Sequence, residues 1–203
     1  MNAVPDDAGY CGGGQDLAAT LAAEANAVGG EALVVADRQA ARAAVAEILD
    51  RYSPATALCW QHPLLDELDL HGILSSRGIE CLDHTTLRAR PSDDCRAAML
   101  NADIGISSAT VAVAETGTLA LASGPGSERV VSLLPPVHVA VVGASQILPD
   151  LFDLFVMIER TAADMSSNWV LITGPSKTGD LELKLTTGVH GPGHWHLVVV
   201  RDL

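Results

Sequence analysis

Two apolar periodicities alternate along the first hundred residues. Leu17, Leu21, Ala25 and Val28 recur at helical spacing, and Gly29-Gly30 stops the run. Residues 31–36 then carry the unbroken stretch Ala-Leu-Val-Val-Ala, which predicts a buried strand. Asp37 stands where a helix N-cap belongs, ahead of an apolar face made by Ala41, Val45, Ile48 and Leu49. Residues 55–60 read as a second strand, and His62-Pro63 opens a short helix through Leu68. After a turn near Arg77-Gly78, residues 79–82 are a third strand. Ser92 is placed to cap a helix running to about Ala102, with Asp93 and Asp94 in its first turn, where the helix dipole favours negative charge. This β-α-β-α-β-α order implies right-handed crossovers and a largely parallel sheet.

The pattern changes at Asp103. Residues 104–107, 110–114, 118–122, 130–134 and 137–142 are five short strand candidates separated only by turns. Some must pair as hairpins, so the sheet is mixed or a second small sheet is present. A helix resumes near Pro149, with Leu151, Leu154, Phe155 and Ile158 expected on its buried side. Residues 169–173 and 195–201 read as the last core strands. Residues 1–14 are expected to be a flexible segment and residues 15–203 a single domain, since no linker or repeat divides them.

Composition narrows the function classes. Hydrophobic residues make up 48% of the chain but aromatics only 3%, so the core must be built from Ala, Val, Leu and Ile. The formal net charge of −13, with no Lys/Arg cluster, argues against nucleic acid and against anionic membrane surfaces. No run approaches the roughly 18–20 apolar residues of a membrane span. The first ten residues carry Asp6 and Asp7, no basic residue and no apolar region of a signal peptide. Cys11, Cys59, Cys81 and Cys95 include no C-x-x-C pair, which fits neither a zinc ribbon nor an iron–sulfur cluster. The expectation is a cytoplasmic protein with reduced thiols and no cofactor of its own.

Candidate chemistry sits in loops. Gly124-Pro125-Gly126, Gly174-Pro175-Ser176 and Gly191-Pro192-Gly193 expose backbone N–H groups in defined shapes, as tight turns or as walls of a binding crevice. In α/β sheets such crevices lie at the carboxyl ends of strands. The segment from Gly174 to Asp180 fails as a phosphate-binding Walker loop, because Lys177 precedes Gly179 and Asp180 follows it. Glu115 interrupts an apolar stretch, where a carboxylate acts as a general acid/base or nucleophile, or ties a turn together. His190, His194 and His196 lie close together, but no further ligand completes a metal pattern, and none is expected. The three loops, Glu115, Thr116, His138 and His190 are expected to converge on one crevice.

Taken in order, these segments resemble a known family. Asn101 to Ser107, Ala114-Glu115-Thr116-Gly117-Thr118, Gly124-Pro125-Gly126, Leu134-Pro135-Pro136-Val137-His138, Gln146-Ile147, Thr173-Gly174-Pro175-Ser176 with Asp180-Leu181-Glu182, and Gly188-Val189-His190-Gly191-Pro192 resemble the LUD domain, the group around lactate-utilisation protein C. The resemblance covers residues 95–201 in detail and the first half only in pattern. It implies a three-layer α/β/α fold with a mostly parallel sheet and a small extra β region, like sugar-phosphate isomerases and CoA transferases. It also implies a role in L-lactate oxidation beside partner subunits that carry iron–sulfur clusters, with a small organic acid as ligand. Glu115 is the residue it points to for catalysis, by fold-level analogy with CoA transfer. Thr116, Gly117, Thr118, Gly124, Pro125, Gly126, His138, Gly174, Ser176, Asp180, His190 and Gly191 are the expected ligand-binding set. Two other readings stand beside this one: a stand-alone enzyme acting on a CoA ester or sugar phosphate through Glu115, and a non-catalytic interaction domain. A phosphate-bearing ligand wants cations, and only Arg129, Lys177 and Lys184 lie near these loops.

Overall fold

The computed structural model describes residues 16–161, 166, 168–179 and 185–203. The expected flexible segment 1–14 therefore lies outside the described residues. The chain begins with α1 (Leu17–Ala27), β1 (Glu31–Val35), α2 (Arg38–Tyr52), β2 (Thr56–Cys59), α3 (Pro63–Glu67), α4 (Leu70–Ser75), β3 (Glu80–Leu82), α5 (His84–Arg88) and α6 (Ser92–Leu100). It continues with β4 (Ile104–Ser107), β5 (Val111–Val113), β6 (Thr118–Ala122), β7 (Val137–Gly143), β8 (Ile147–Leu148), α7 (Leu151–Arg160), β9 (Trp169–Ile172), β10 (Lys177–Gly179), β11 (Leu185–Thr187) and β12 (His194–Val200).

Six strands form one sheet in the order β1-β12-β7-β4-β2-β3, and every pairing in it is parallel. The central strand β7 is buried along its whole length, which explains why it is rich in Val and Ala, with His138 as its one polar side chain. Helices cover both faces. Successive residues of β12 show this directly: His196 meets Tyr52 of α2, whereas Trp195 packs against Gly30 beside α1. The antiparallel pairings fall in a second sheet, β8-β5-β6-β9, and in the hairpin β10-β11. The α/β class, the mostly parallel sheet and the extra β region are thus present.

The caps follow local chemistry. Asp16, Asp37 and Asp83 each accept a backbone N–H in the first turn of α1, α2 and α5. Ser92 does not cap α6; Pro91 holds the cap position without a side-chain bond, while Asp93 and Asp94 occupy the first turn. The short helices α4 and α5 fall in stretches to which the sequence pattern assigns no element. Phe155, expected on the buried side of α7, is 58% exposed, while Leu154 is fully buried. Residues 169–172 join the small sheet rather than the main one.

Residues 130–134 are not a strand. They belong to a 3-10 turn, Arg129–Ser132, laid across β4. Gly105 is the physical reason: a Cβ there would stand 1.9 Å from the Val131 carbonyl oxygen. Only a residue without a side chain lets this turn rest on the strand. Gly105→Ala should therefore destabilise the protein by about 1–3 kcal/mol or more, as overpacking does. Urea denaturation checks this, and an unchanged midpoint would mean the turn is not seated on Gly105.

Candidate functional site

A cavity of about 310 Å³ opens between the amino ends of β7 and β12 and the small sheet. Four stretches of chain build it. The 3-10 turn supplies Arg129 and Ser132, the head of β7 supplies His138, and β9 with its following loop supplies residues 170–177. The loop before β12 brings His190, Gly191 and Pro192, and β12 itself brings Trp195. Gly174 adopts φ 93° with its α-carbon against Val28, a conformation and a spacing that suit glycine.

The wall is basic although the protein is acidic. Among the described residues its lining holds Arg129, Lys177, His138 and His190, and no Asp or Glu. Six other arginines pair with carboxylates: Arg38, Arg42, Arg51, Arg77, Arg90 and Arg201. No described carboxylate pairs with Arg129. Lys177 donates its ammonium to the Val28 carbonyl.

His138 is fully buried, and its Nε2 lies 2.8 Å from Ser107 Oγ. Burial, with a smaller contribution from the charge of His196, lowers its pKa to about 3, so the ring is neutral. In register it stands between Trp195 and Gly105. Trp195 also carries an unmet group: its Nε1–H is buried with no partner among the described residues. Such a donor costs about 1–3 kcal/mol, which a ligand acceptor would offset.

The cavity gathers His138, Gly174, Ser176, His190 and Gly191 from the expected set. Glu115 is elsewhere, half-buried in a 3-10 turn packed on α1, with its backbone N–H on the Pro149 carbonyl. Its carboxylate has no hydrogen-bond or ion-pair partner among the described residues. Gly117, at φ 63°, lets that turn touch α1: a Cβ there would stand 2.5 Å from the Ala25 nitrogen. Thr116 and Thr118 connect the turn to the cavity, through hydroxyl contacts of 2.7 Å from Thr116 to Thr118 and from Thr118 to Thr173.

Gly124, Pro125 and Gly126 lie apart from the lining residues. Their loop is held near the carboxyl ends of β2 and β3, where Gln61 N–H donates to the Gly126 carbonyl and His84 bonds Glu128. Asp180 lies outside the described residues. The cavity thus sits at the amino ends of the parallel strands, opposite to the edge expected from the general rule for α/β sheets. His194 and His196 stack on Tyr52 rather than joining His190. Among the described residues no group of three His, Cys, Asp or Glu could hold a metal ion, and no helix is long and apolar enough to cross a membrane. Trp195 escaped the sequence reading because it looks like core; only its position at the head of a strand, beside a Gly-Pro loop, hints otherwise.

The buried His138 sets a pH dependence. Its folded pKa of about 3 lies below the ordinary 6.5, so the unfolded chain binds the extra proton. Its contribution is fully present above pH 6.5 and is lost as pH falls toward 3, by at most about 1.4 kcal/mol per pH unit. His138→Gln should flatten the stability profile across that window, measured by urea melts at stepped pH. An unchanged slope would show that His138 is not held neutral.

Known proteins resemble this chain along most of its length. Residues 18–200 match the family model described as LUD domain. A lactate utilization protein C from Halalkalibacterium halodurans is 33% identical over 162 residues, covering 78% of this chain and 68% of that protein. A lactate utilization protein C from Exiguobacterium is 36% identical over 107 residues, 51% of this chain and 46% of that protein. The chain therefore spans only part of these relatives. A crystal structure of a DUF162 family protein from Deinococcus radiodurans shares the fold, with a TM-score of 0.62 at 17% identity over 91% of this chain and 96% of that one. With the family model matching far more than half of its residues, the chain belongs to the LUD-domain family.

Proposed function

We propose that this protein acts in lactate utilisation, beside partner proteins that carry iron–sulfur clusters, and that its cavity takes a small organic acid. The observation that carries the reading is a wall that holds Arg129 and Lys177 and, among the described residues, no Asp or Glu, in a chain of net charge −13. Relatives named lactate utilization protein C support the process. The redox step is assigned to partners because Cys11, Cys59, Cys81 and Cys95 include no cluster-binding spacing. Within this reading the ligand-binding set is His138, Gly174, Ser176, His190 and Gly191, joined by Arg129 and Trp195. Thr116, Gly117 and Thr118 support the wall through Thr173.

A purely interacting role draws on a different observation: Phe155 on α7 and Leu171 on β9 are large, apolar and exposed. Catalysis by Glu115 on a CoA ester has no comparable support, since Glu115 does not line the cavity.

Deleting the gene in the organism that carries it should abolish growth on L-lactate as sole carbon source and spare growth on glucose. The tagged chain from lactate-grown cells should co-purify iron and acid-labile sulfide. Normal growth of the deletion strain on L-lactate would sink the proposal.

A further inference from the structure

We infer that the cavity is a receptor site for a 2-oxo monocarboxylate, which it holds in preference to the corresponding 2-hydroxy acid. The inference rests on the reading of this cavity as the ligand site and adds the chemical class it selects. Charge sets the first limit. Lys177 is committed to the Val28 carbonyl, so Arg129 is the wall's one uncommitted full positive charge among the described residues. One guanidinium suits one carboxylate, by a bidentate charge-assisted pair, better than a phosphate dianion.

The second limit is the direction of the hydrogen bonds. The indole Nε1–H of Trp195 is a donor only, and among the described residues it is buried without a partner. Trp195 lines the cavity, and Gly30 packs against the far edge of its ring from that nitrogen, at Cε3 and Cζ3. Ser107 is fully buried, and its hydroxyl has one partner, His138 Nε2. Assigning the hydroxyl as the donor pairs its one hydrogen and puts the proton of the neutral imidazole on Nδ1, a second donor. Two hydroxyls on the wall are engaged within the protein, Thr173 with Thr118 and Ser132 with the Arg129 carbonyl, while Ser176 accepts from the His190 N–H and keeps its own hydrogen as a further donor.

A keto oxygen only accepts, so it matches these donors. The hydroxyl of a 2-hydroxy acid carries its own hydrogen, and no carboxylate among the described lining residues stands ready to take it. The same lack means that the wall offers no strong base to start oxidation of that hydroxyl. The cavity, at about 310 Å³, has room for 2-oxo acids longer than pyruvate.

Calorimetric titration of the full chain with pyruvate, L-lactate and inorganic phosphate tests this directly. Pyruvate should bind roughly tenfold or more tightly than either of the others. Arg129→Gln should weaken pyruvate by at least about tenfold with the melting temperature unchanged, since that side chain has no described partner to lose. Trp195→Phe should narrow the ratio between pyruvate and L-lactate. Equal or tighter binding of L-lactate or phosphate overturns the inference, and so does pyruvate affinity indifferent to Arg129→Gln. A folded wild type that binds none of the three also overturns it. If that happens while the deletion strain still fails on L-lactate, this inference falls alone and the role in lactate utilisation stands.

Discussion

The Val131 carbonyl occupies the space in which a side chain at Gly105 would stand. That contact fixes more than a turn. It seats Arg129–Ser132 across a central strand of the parallel sheet, and so carries Arg129 and Ser132 to the mouth of the cavity. Upstream, Glu128 is held from three sides: His84 bonds its carboxylate, Gly126 N–H donates to the same oxygen, and Trp60 Nε1 donates to its carbonyl. The turn is thus clamped at its start and nested at its middle. A flexible arginine is delivered by a rigid support, the arrangement a preorganised site needs.

The electrostatics follow from where charges are left unmatched. Six arginines are paired off with carboxylates, and exposed pairs of this kind contribute little to stability. Arg129, like Arg88, Arg96 and Arg160, has no such partner among the described residues, but it alone of these lines the cavity. Lining the same cavity are a histidine kept neutral by burial and an indole N–H without a partner among the described residues. An apolar sheet that houses two polar rings at the heads of adjacent strands carries a stability cost. That cost makes sense as the preparation of a ligand site.

Much of the fold was legible in the chain. Apolar-rich runs marked β2, β4, β7 and β12, because strands buried on both faces need few polar positions, and one marked β1 as well, although it is an edge strand with none of its residues fully buried. Asp37 and Gly29-Gly30 marked helix ends for reasons local to the backbone. The run at 130–134 misled because a short apolar stretch has no period of its own, and the glycine that decides its shape lies 26 residues away in sequence, at Gly105. The site was legible in its loops but not in its grouping. Gly174, Ser176, His190 and Gly191 meet at one wall because β9 and β12 bring their loops together, whereas Gly124–Gly126 follows β6 toward the other edge. No periodicity encodes that separation, and the donor role of Trp195 depends on the absence of a partner, which only the packed structure reveals.

The central claim is that ligand occupies the amino-end cavity rather than the Glu115 turn or the carboxyl edge. Backbone amide shifts of the isotopically labelled protein, followed by NMR during titration with pyruvate, test it most directly. The account predicts shifts concentrated at Arg129–Ser132, His138, residues 170–177, residues 190–191 and Trp195. Shifts confined to Glu115 to Thr118, or to Gln61, His84 and Gly124 to Glu128, would contradict it.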